Sequence, residues 1–238
     1  MWIALVAPLL VTSDSGPLSD ALLAADAPDT LRAAFTVEIT AGDAFRVYRF
    51  DPREPERSRW SLLKEQGENS EIDDIGAAWG AEAAPDGRLF PDDLGSSFSG
   101  TVQADVFDTA WRVRIVHRPT FHEDPLDVWA AQHLESSAWL DSQSGHFLRL
   151  DHTLPRPVTG PRGVRVMRYN QSYFLERDPE FGVSFITAIS IDLEARAGFR
   201  MVQRAYEVRI LSAELFFASI ADETAFLEAR GKSVQGGG

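Results

Sequence analysis

The chain has 238 residues, 23 of them basic and 36 acidic, for a net charge of −13, and it contains no cysteine. That acidic balance argues against a nucleic-acid binder, which needs a concentrated basic face, and the missing thiols remove disulfide frameworks, thiolate metal sites and a cysteine nucleophile. No apolar run approaches the ~20 residues of a transmembrane helix.

The first apolar run, WIALVAPLLV over residues 2–11, is followed by the small residues Thr12 and Ser13. It reads as an export signal over residues 1–15 without a basic leading region, the first cation being Arg32. That reading expects a periplasmic protein; the alternative is an edge strand of a cytoplasmic one. Residues 16–27 carry a helical pattern, with Pro17 in the first turn and Leu18, Ala21, Leu22 and Ala25 on one face. Two strands follow, LRAAFTVEIT (residues 31–40) and AFRVYRF (44–50), joined by the compact turn Ala41-Gly42-Asp43.

Residues 64–93 hold nine acids against Lys64 and Arg88. Within them Ile72, Ile75 and Trp79 fall at i, i+3 and i+7, which predicts one short amphipathic helix, a charged lid over something apolar. From residue 99 strands dominate: 100–107, 110–118, 135–141, 146–153, 163–169, 183–193 and 199–211. Ser142-Gln143-Ser144-Gly145 makes a hairpin turn. A last helix over 222–230 is capped by Asp222 and stopped by Gly231, leaving residues 231–238 as a disordered tail.

These elements define one domain over residues 16–230, α+β in class but mainly β, with a single large antiparallel sheet of about nine strands and a helix at each end. Alternation puts Trp111, Val113 and Ile115 on one strand face, and Phe185, Ile189 and Ile191 on another. Three short helices cannot hide so large an apolar face. The expectation is therefore a hollow lined by Trp111, Val113, Ile115, Trp139, Phe185, Ile189 and Ile191. Arg112, Arg114 and Arg118 fall on the opposite face and read as a solvated outer stripe.

The order of elements is similar to that of the LolA/LolB-like carriers of periplasmic lipoproteins: an exported N-terminus, a short helix running into LRAAFTVEIT, then AFRVYRF, a helical excursion, a long sheet and a final helix. The hairpin AWLDSQSGHFLRL (residues 138–150) resembles a hairpin common in that group, with His146 where proline is usual. The resemblance spans roughly residues 17–217. It implies a curved sheet forming an incomplete β-barrel, a helical lid, and an apolar cavity for acyl chains of a lipid or lipoprotein. It further implies a membrane-bound donor or acceptor protein as partner, and an early-strand arginine, Arg46 or Arg49, bonded to the lid that carries Ile72, Ile75 and Trp79. Without cysteine there is no thiol for a lipid anchor, which leaves the carrier rather than the anchored receptor.

Catalytic patterns are thin. His117, His122 and Glu123 lie close in sequence but supply too few converging ligands for a metal site. Carboxylate pairs such as Asp73/Asp74 and Asp92/Asp93 are adjacent and point apart. No nucleophile elbow or phosphate-binding loop occurs. The expected function is thus non-catalytic and without cofactor or metal. The alternatives are a protein-interaction module of the cell envelope and a hydrolase using carboxylate or histidine chemistry.

Overall fold

The computed structural model describes residues 8–12, 17–91, 101–115, 125–160 and 163–235. Its elements are, in chain order, β1 (Pro8–Thr12), α1 (Pro17–Ala25), β2 (Leu31–Ala41), β3 (Ala44–Phe50), β4 (Trp60–Gln66), α2 (Ser70–Gly80), β5 (Thr101–Phe107), β6 (Ala110–Ile115), α3 (Pro125–His133), β7 (Glu135–Asp141), β8 (His146–Thr153), β9 (Val158–Thr159), β10 (Arg165–Arg177), β11 (Ser184–Ala197), β12 (Arg200–Phe217) and α4 (Ile220–Gln235). Short 3₁₀ turns occupy Glu56–Ser58 and Pro85–Leu89. The expected mainly-β, antiparallel architecture is present. The strands form one sheet in the order β1-β5-β6-β7-β8-β10-β11-β12-β2-β3-β4, with β9 set against β10. Every pairing is antiparallel, and the sheet is not closed into a barrel.

The sheet has twelve strands rather than about nine. Residues 8–12, the second half of the run read as an export signal, pair with β5 as an edge strand. The other edge, β4, was not expected: most of its side chains are exposed, so it shows no alternation. Lys64 on it and the register shift beside it are common devices at open edges. Strands β10, β11 and β12 run longer than the pattern predicts, and α3 is an additional helix. The last helix is capped by Ser219, whose hydroxyl accepts from Asp222 N at 3.2 Å and donates to Asp222 Oδ2 at 2.6 Å, and it continues past Gly231 to Gln235. No helix among the described residues is long and apolar enough to cross a membrane.

Paired residues in an antiparallel sheet point to the same side. One cross-strand row therefore runs Ala104, Val113, Ala138, Leu150, Tyr173, Ile189, Val208, Ile39, Arg46 over nine strands. Both covering helices lie on this inner face. Leu18, Ala21 and Ala25 of α1 pack with Val113, Ala138, Leu140, Phe147 and Leu150. Ile72 and Trp79 of α2 pack with Phe35, Val37, Ile39 and Phe50 at the other end. The two apolar clusters share Ile189 as a packing partner.

Local chemistry explains how the covers are seated. Asn69 caps α2, its Oδ1 accepting from Glu71 N at 3.0 Å and Ile72 N at 3.3 Å. Gly145, at φ +60°, closes the β7–β8 hairpin and lies so close to α1 that a Cβ there would stand 2.8 Å from Asp20 Cβ. The Asp141 carboxylate of that hairpin accepts from the backbone of Gln143 and Ser144, both at 2.8 Å, and its pKa is lowered by those bonds, chiefly the one from Ser144.

Asp51, buried just after β3, gives a pH prediction. Arg53 donates to it from Nε at 2.8 Å, from Nη2 at 2.9 Å and from its backbone N at 3.0 Å, which holds the carboxyl down at about 2. Its folded pKa lies below the unfolded value, so its stabilisation is complete above pH ~4 and is lost as pH falls toward 2. Urea midpoints compared at pH 5 and pH 2.5 should fall less in Asp51→Asn than in the parent; an equal fall would show that Asp51 does not contribute.

Candidate functional site

Between the two covers the described residues leave the middle of the inner face partly exposed. Tyr169, Gln171 and Tyr173 alternate along β10, Ile189, Ile191 and Leu193 along β11, and Tyr206 lies on β12; all are half-buried. The register sets Leu193 beside Tyr169, Ile191 between Gln171 and Tyr206, and Ile189 between Tyr173 and Val208. This partly exposed strip, an aliphatic floor with tyrosines on either side, is the candidate hollow. Sequence reasoning placed Ile189 and Ile191 here but missed the tyrosines. Their i, i+4 spacing on one strand was the available signal.

The hollow's polar groups form a chain. Tyr169 Oη donates to Gln171 Oε1, and Gln171 Nε2 donates to Tyr173 Oη at 2.6 Å. His152 stands opposite Gln171, its Nδ1 2.7 Å from Ser136 Oγ and its ring edge-on to Tyr173 at 6.0 Å. Burial pushes the Tyr173 phenol up to about 12, with Tyr206 adding to the shift and the Arg88 cation opposing it. Burial likewise raises Tyr169, and it raises Tyr206 with help from Glu71. These hydroxyls stay protonated at neutral pH. Tyr169 already spends its proton on Gln171, so Tyr173 and Tyr206 are the neutral hydrogen-bond donors of the group.

The rim belongs to α2 and the Pro85–Leu89 turn. Arg46 is 5% exposed; its Nε donates to Asp73 Oδ1 of α2 at 2.7 Å, and its Nη1 donates to the carbonyls of Phe45 and Gln66. Arg49 faces the other side of β3 and meets Asp51 at 3.4 Å. An odd spacing on a strand separates the two arginines. Arg204 of β12 lies 3.4 Å from Glu71. Ile72 and Trp79 are buried under α2, Ile75 is partly buried beside them, and Trp79 Nε1 donates to Pro85 O at 2.8 Å.

The remaining expected lining residues are distributed. Trp111, Val113 and Ile115 share the inner face but sit under or beside α1, away from the tyrosines. Phe185 is displaced by an irregularity at Thr187: Ile186 takes the place opposite Leu175, and Phe185 packs against the cluster around β2. Trp139 is on the outer face, because Ala138 pairs with Val113 and so Trp139 aligns with Arg112 and Arg149.

Around Trp139 the outer face forms a cleft of about 600 Å³, lined also by Arg114, Ser137 and Asp151. The indole Nε1 donates to Asp151 Oδ2 at 2.9 Å, and the Arg149 and Arg112 guanidinium carbons lie 5.0 and 5.8 Å from its ring. Asp151 and Asp105 neutralise those two arginines. Two of the cleft's three arginines are therefore paired within the protein. Arg118, His117, His122 and Glu123 lie outside the described residues. Among the described residues no three His, Asp or Glu side chains gather as a metal site.

Comparison of the chain with protein-family models, with curated proteins and with solved structures returns no significant match.

Proposed function

We propose that the protein is a non-catalytic, LolA/LolB-like carrier that takes an acyl chain of a lipid or lipoprotein into the hollow between α1 and α2. The observation that supports this reading is the half-buried strip of Ile189, Ile191 and Leu193, flanked by Tyr169, Tyr173 and Tyr206, on an inner face that is otherwise covered by the protein's own helices. Half-exposed aliphatic residues at the centre of a packed face call for an apolar occupant. Each buried CH₂ contributes ~0.8 kcal/mol, so a ten-carbon chain gains ~8 kcal/mol before ordering costs. The protonated hydroxyls of Tyr173 and Tyr206 suit the ester or carboxyl oxygens at the head of such a chain. The periplasm, and exchange with a membrane-bound donor or acceptor protein, follow as parts of the same proposal.

Titration with a dansylated undecanoic acid tests it. The parent should bind the probe saturably with a blue-shifted emission. Ile191→Asp should weaken binding at least ten-fold, because it places a charge on the strip. Leu63→Asp, on the exposed edge strand β4, should bind as the parent does. Absence of saturable uptake by the parent, at unchanged circular dichroism, removes the carrier reading and leaves an interaction module.

A further inference from the structure

Past the end of β2 the β11–β12 hairpin has an open edge on the β12 side, while β10 stays alongside β11 as far as Arg196 and β9 alongside β10 at Arg165 and Val166. β12 pairs with β2 only from Glu207 onward, so residues 200–206 have β11 as their one strand neighbour. At ~3.3 Å per residue this open edge runs about 23 Å past the end of β2. It closes in a two-residue turn, Gly198-Phe199, between the paired Ala197 and Arg200. Gly198 takes φ +62°, as such turns require, and its carbonyl accepts from Arg196 Nε at 2.9 Å. The Phe199 ring at the apex is 100% exposed, and Met201 behind it is 51% exposed.

Some of the sheet's arginines are paired with acids and others, several of them around this apex, are not. Arg168 is paired with Asp192 and Glu194, Arg112 with Asp105, and Arg149 with Asp151. Arg165, Arg196 and Arg200 make no ion pair among the described residues, and Arg165 and Arg196 stand directly opposite one another across β10 and β11. Like charges in register repel unless an anion joins them. A chain with a net charge of −13 thus concentrates uncompensated cations behind its most exposed aromatic side chain.

We infer that the hairpin tip docks on an anionic lipid bilayer. The order of groups along the hairpin matches the depth order of a membrane interface. An apolar ring leads into the acyl boundary, and guanidinium groups follow at the level of the phosphates. A folded protein partner would need roughly 800 Å² on each side, and the exposed apolar groups at the apex, Phe199 with Met201 behind it, fall well short of that. The acidic remainder of the chain is repelled by the same anionic surface, which orients the molecule tip first. Ile189, Ile191, Leu193 and Ala195 alternate along the inner face of β11 from the hollow toward the tip, so a docked tip would bring that end of the strip nearest the bilayer. This last step rests on the carrier reading; the docking does not.

Flotation of the full chain with vesicles tests the inference. The parent should float with equimolar phosphatidylcholine and phosphatidylglycerol vesicles, at least ten-fold less with phosphatidylcholine alone, and less again in 0.5 M salt. Phe199→Asp and the pair Arg196→Glu/Arg200→Glu should each lower the bound fraction at least ten-fold. All of these positions are exposed, and unchanged circular dichroism checks that the variants fold. Phe199→Asp should still take up the dansylated fatty acid. No flotation by the parent, or undiminished flotation by Phe199→Asp, overturns docking through this tip. Probe uptake without vesicle binding sinks the docking alone; vesicle binding that needs Phe199, without probe uptake, upholds the docking and sinks the carrier reading.

Discussion

Replacing Asp86 by alanine is expected to reduce the free energy of unfolding by about 2–3 kcal/mol, less than for a pair buried on both sides because the Arg32 side chain is 32% exposed. Asp86 is 1% exposed. Its Oδ2 accepts from Arg32 Nε at 2.7 Å and from Ala33 N at 3.1 Å, and its Oδ1 accepts from Arg32 Nη2 at 2.9 Å. Truncation leaves the Ala33 N–H buried without an acceptor, and it leaves the Arg32 guanidinium, whose pKa is raised chiefly by this bond, without its counterion. Asp86→Asn, which keeps the shape but loses the charge, should cost less. Urea unfolding at pH 7 checks both: the midpoint should fall while the slope stays constant. A loss below ~1 kcal/mol for alanine would mean that the turn is held by its apolar contacts alone. The effect matters for the hollow. The turn carries Leu89 and Phe90 into the core, accepts the Trp79 indole bond at Pro85, and holds Arg88, which acts electrostatically on Tyr173 and Tyr206.

How much of this was legible follows from which interactions are local. The strands over 31–41 and 44–50, the hairpin centred on Ser142-Gln143-Ser144-Gly145, and the buried stripe Ile72–Trp79 each depend on alternation, turn chemistry or helical spacing within a dozen residues, and the structure has all of them. β4 was not legible because an edge strand with two solvated faces carries no pattern. The second half of β10 was obscured by Asn170-Gln171-Ser172, polar residues that interrupt the apolar alternation after Tyr169 but lie on a strand whose inner face is a tyrosine hydrogen-bond chain. Phe185 and Trp139 were misplaced for geometric reasons. One register irregularity at Thr187 shifts the phase of β11, and the choice of pairing between β6 and β7 decides which side Trp139 takes. The Arg32–Asp86 clamp joins residues 54 apart, and nothing local announces it.

The helix α2 supplies the second large effect, through two glycines. A Cβ on Gly76 would stand 2.4 Å from Tyr48 Cζ, and one on Gly80 would stand 2.4 Å from Trp60 Cδ1. Tyr48 and Trp60 are themselves stacked, with centroids 5.0 Å apart. The helix backbone therefore lies directly on two rings, and the glycines are the reason it can. In an isolated helix Gly→Ala stabilises by ~1 kcal/mol. Here the added methyl must displace a ring that has its neighbour on the far side, and overpacking of this kind costs ~1–3 kcal/mol. Gly76→Ala should therefore destabilise by about 1 kcal/mol net. The double variant Gly76→Ala/Gly80→Ala should lose more than the sum of its parts, because neither ring can then move into space left by the other. A double-mutant cycle by urea unfolding measures that coupling. A Gly76→Ala variant more stable than the parent would show that helix propensity wins and that α2 is loosely seated. If the expected order holds, α2 is fixed over β2–β4 by backbone-to-ring contact as well as by Arg46–Asp73 and Arg204–Glu71. Any opening of the hollow from this side must then lift the helix off Tyr48 and Trp60 as one unit, so the glycine substitutions should weaken that closure while the ion pairs remain intact.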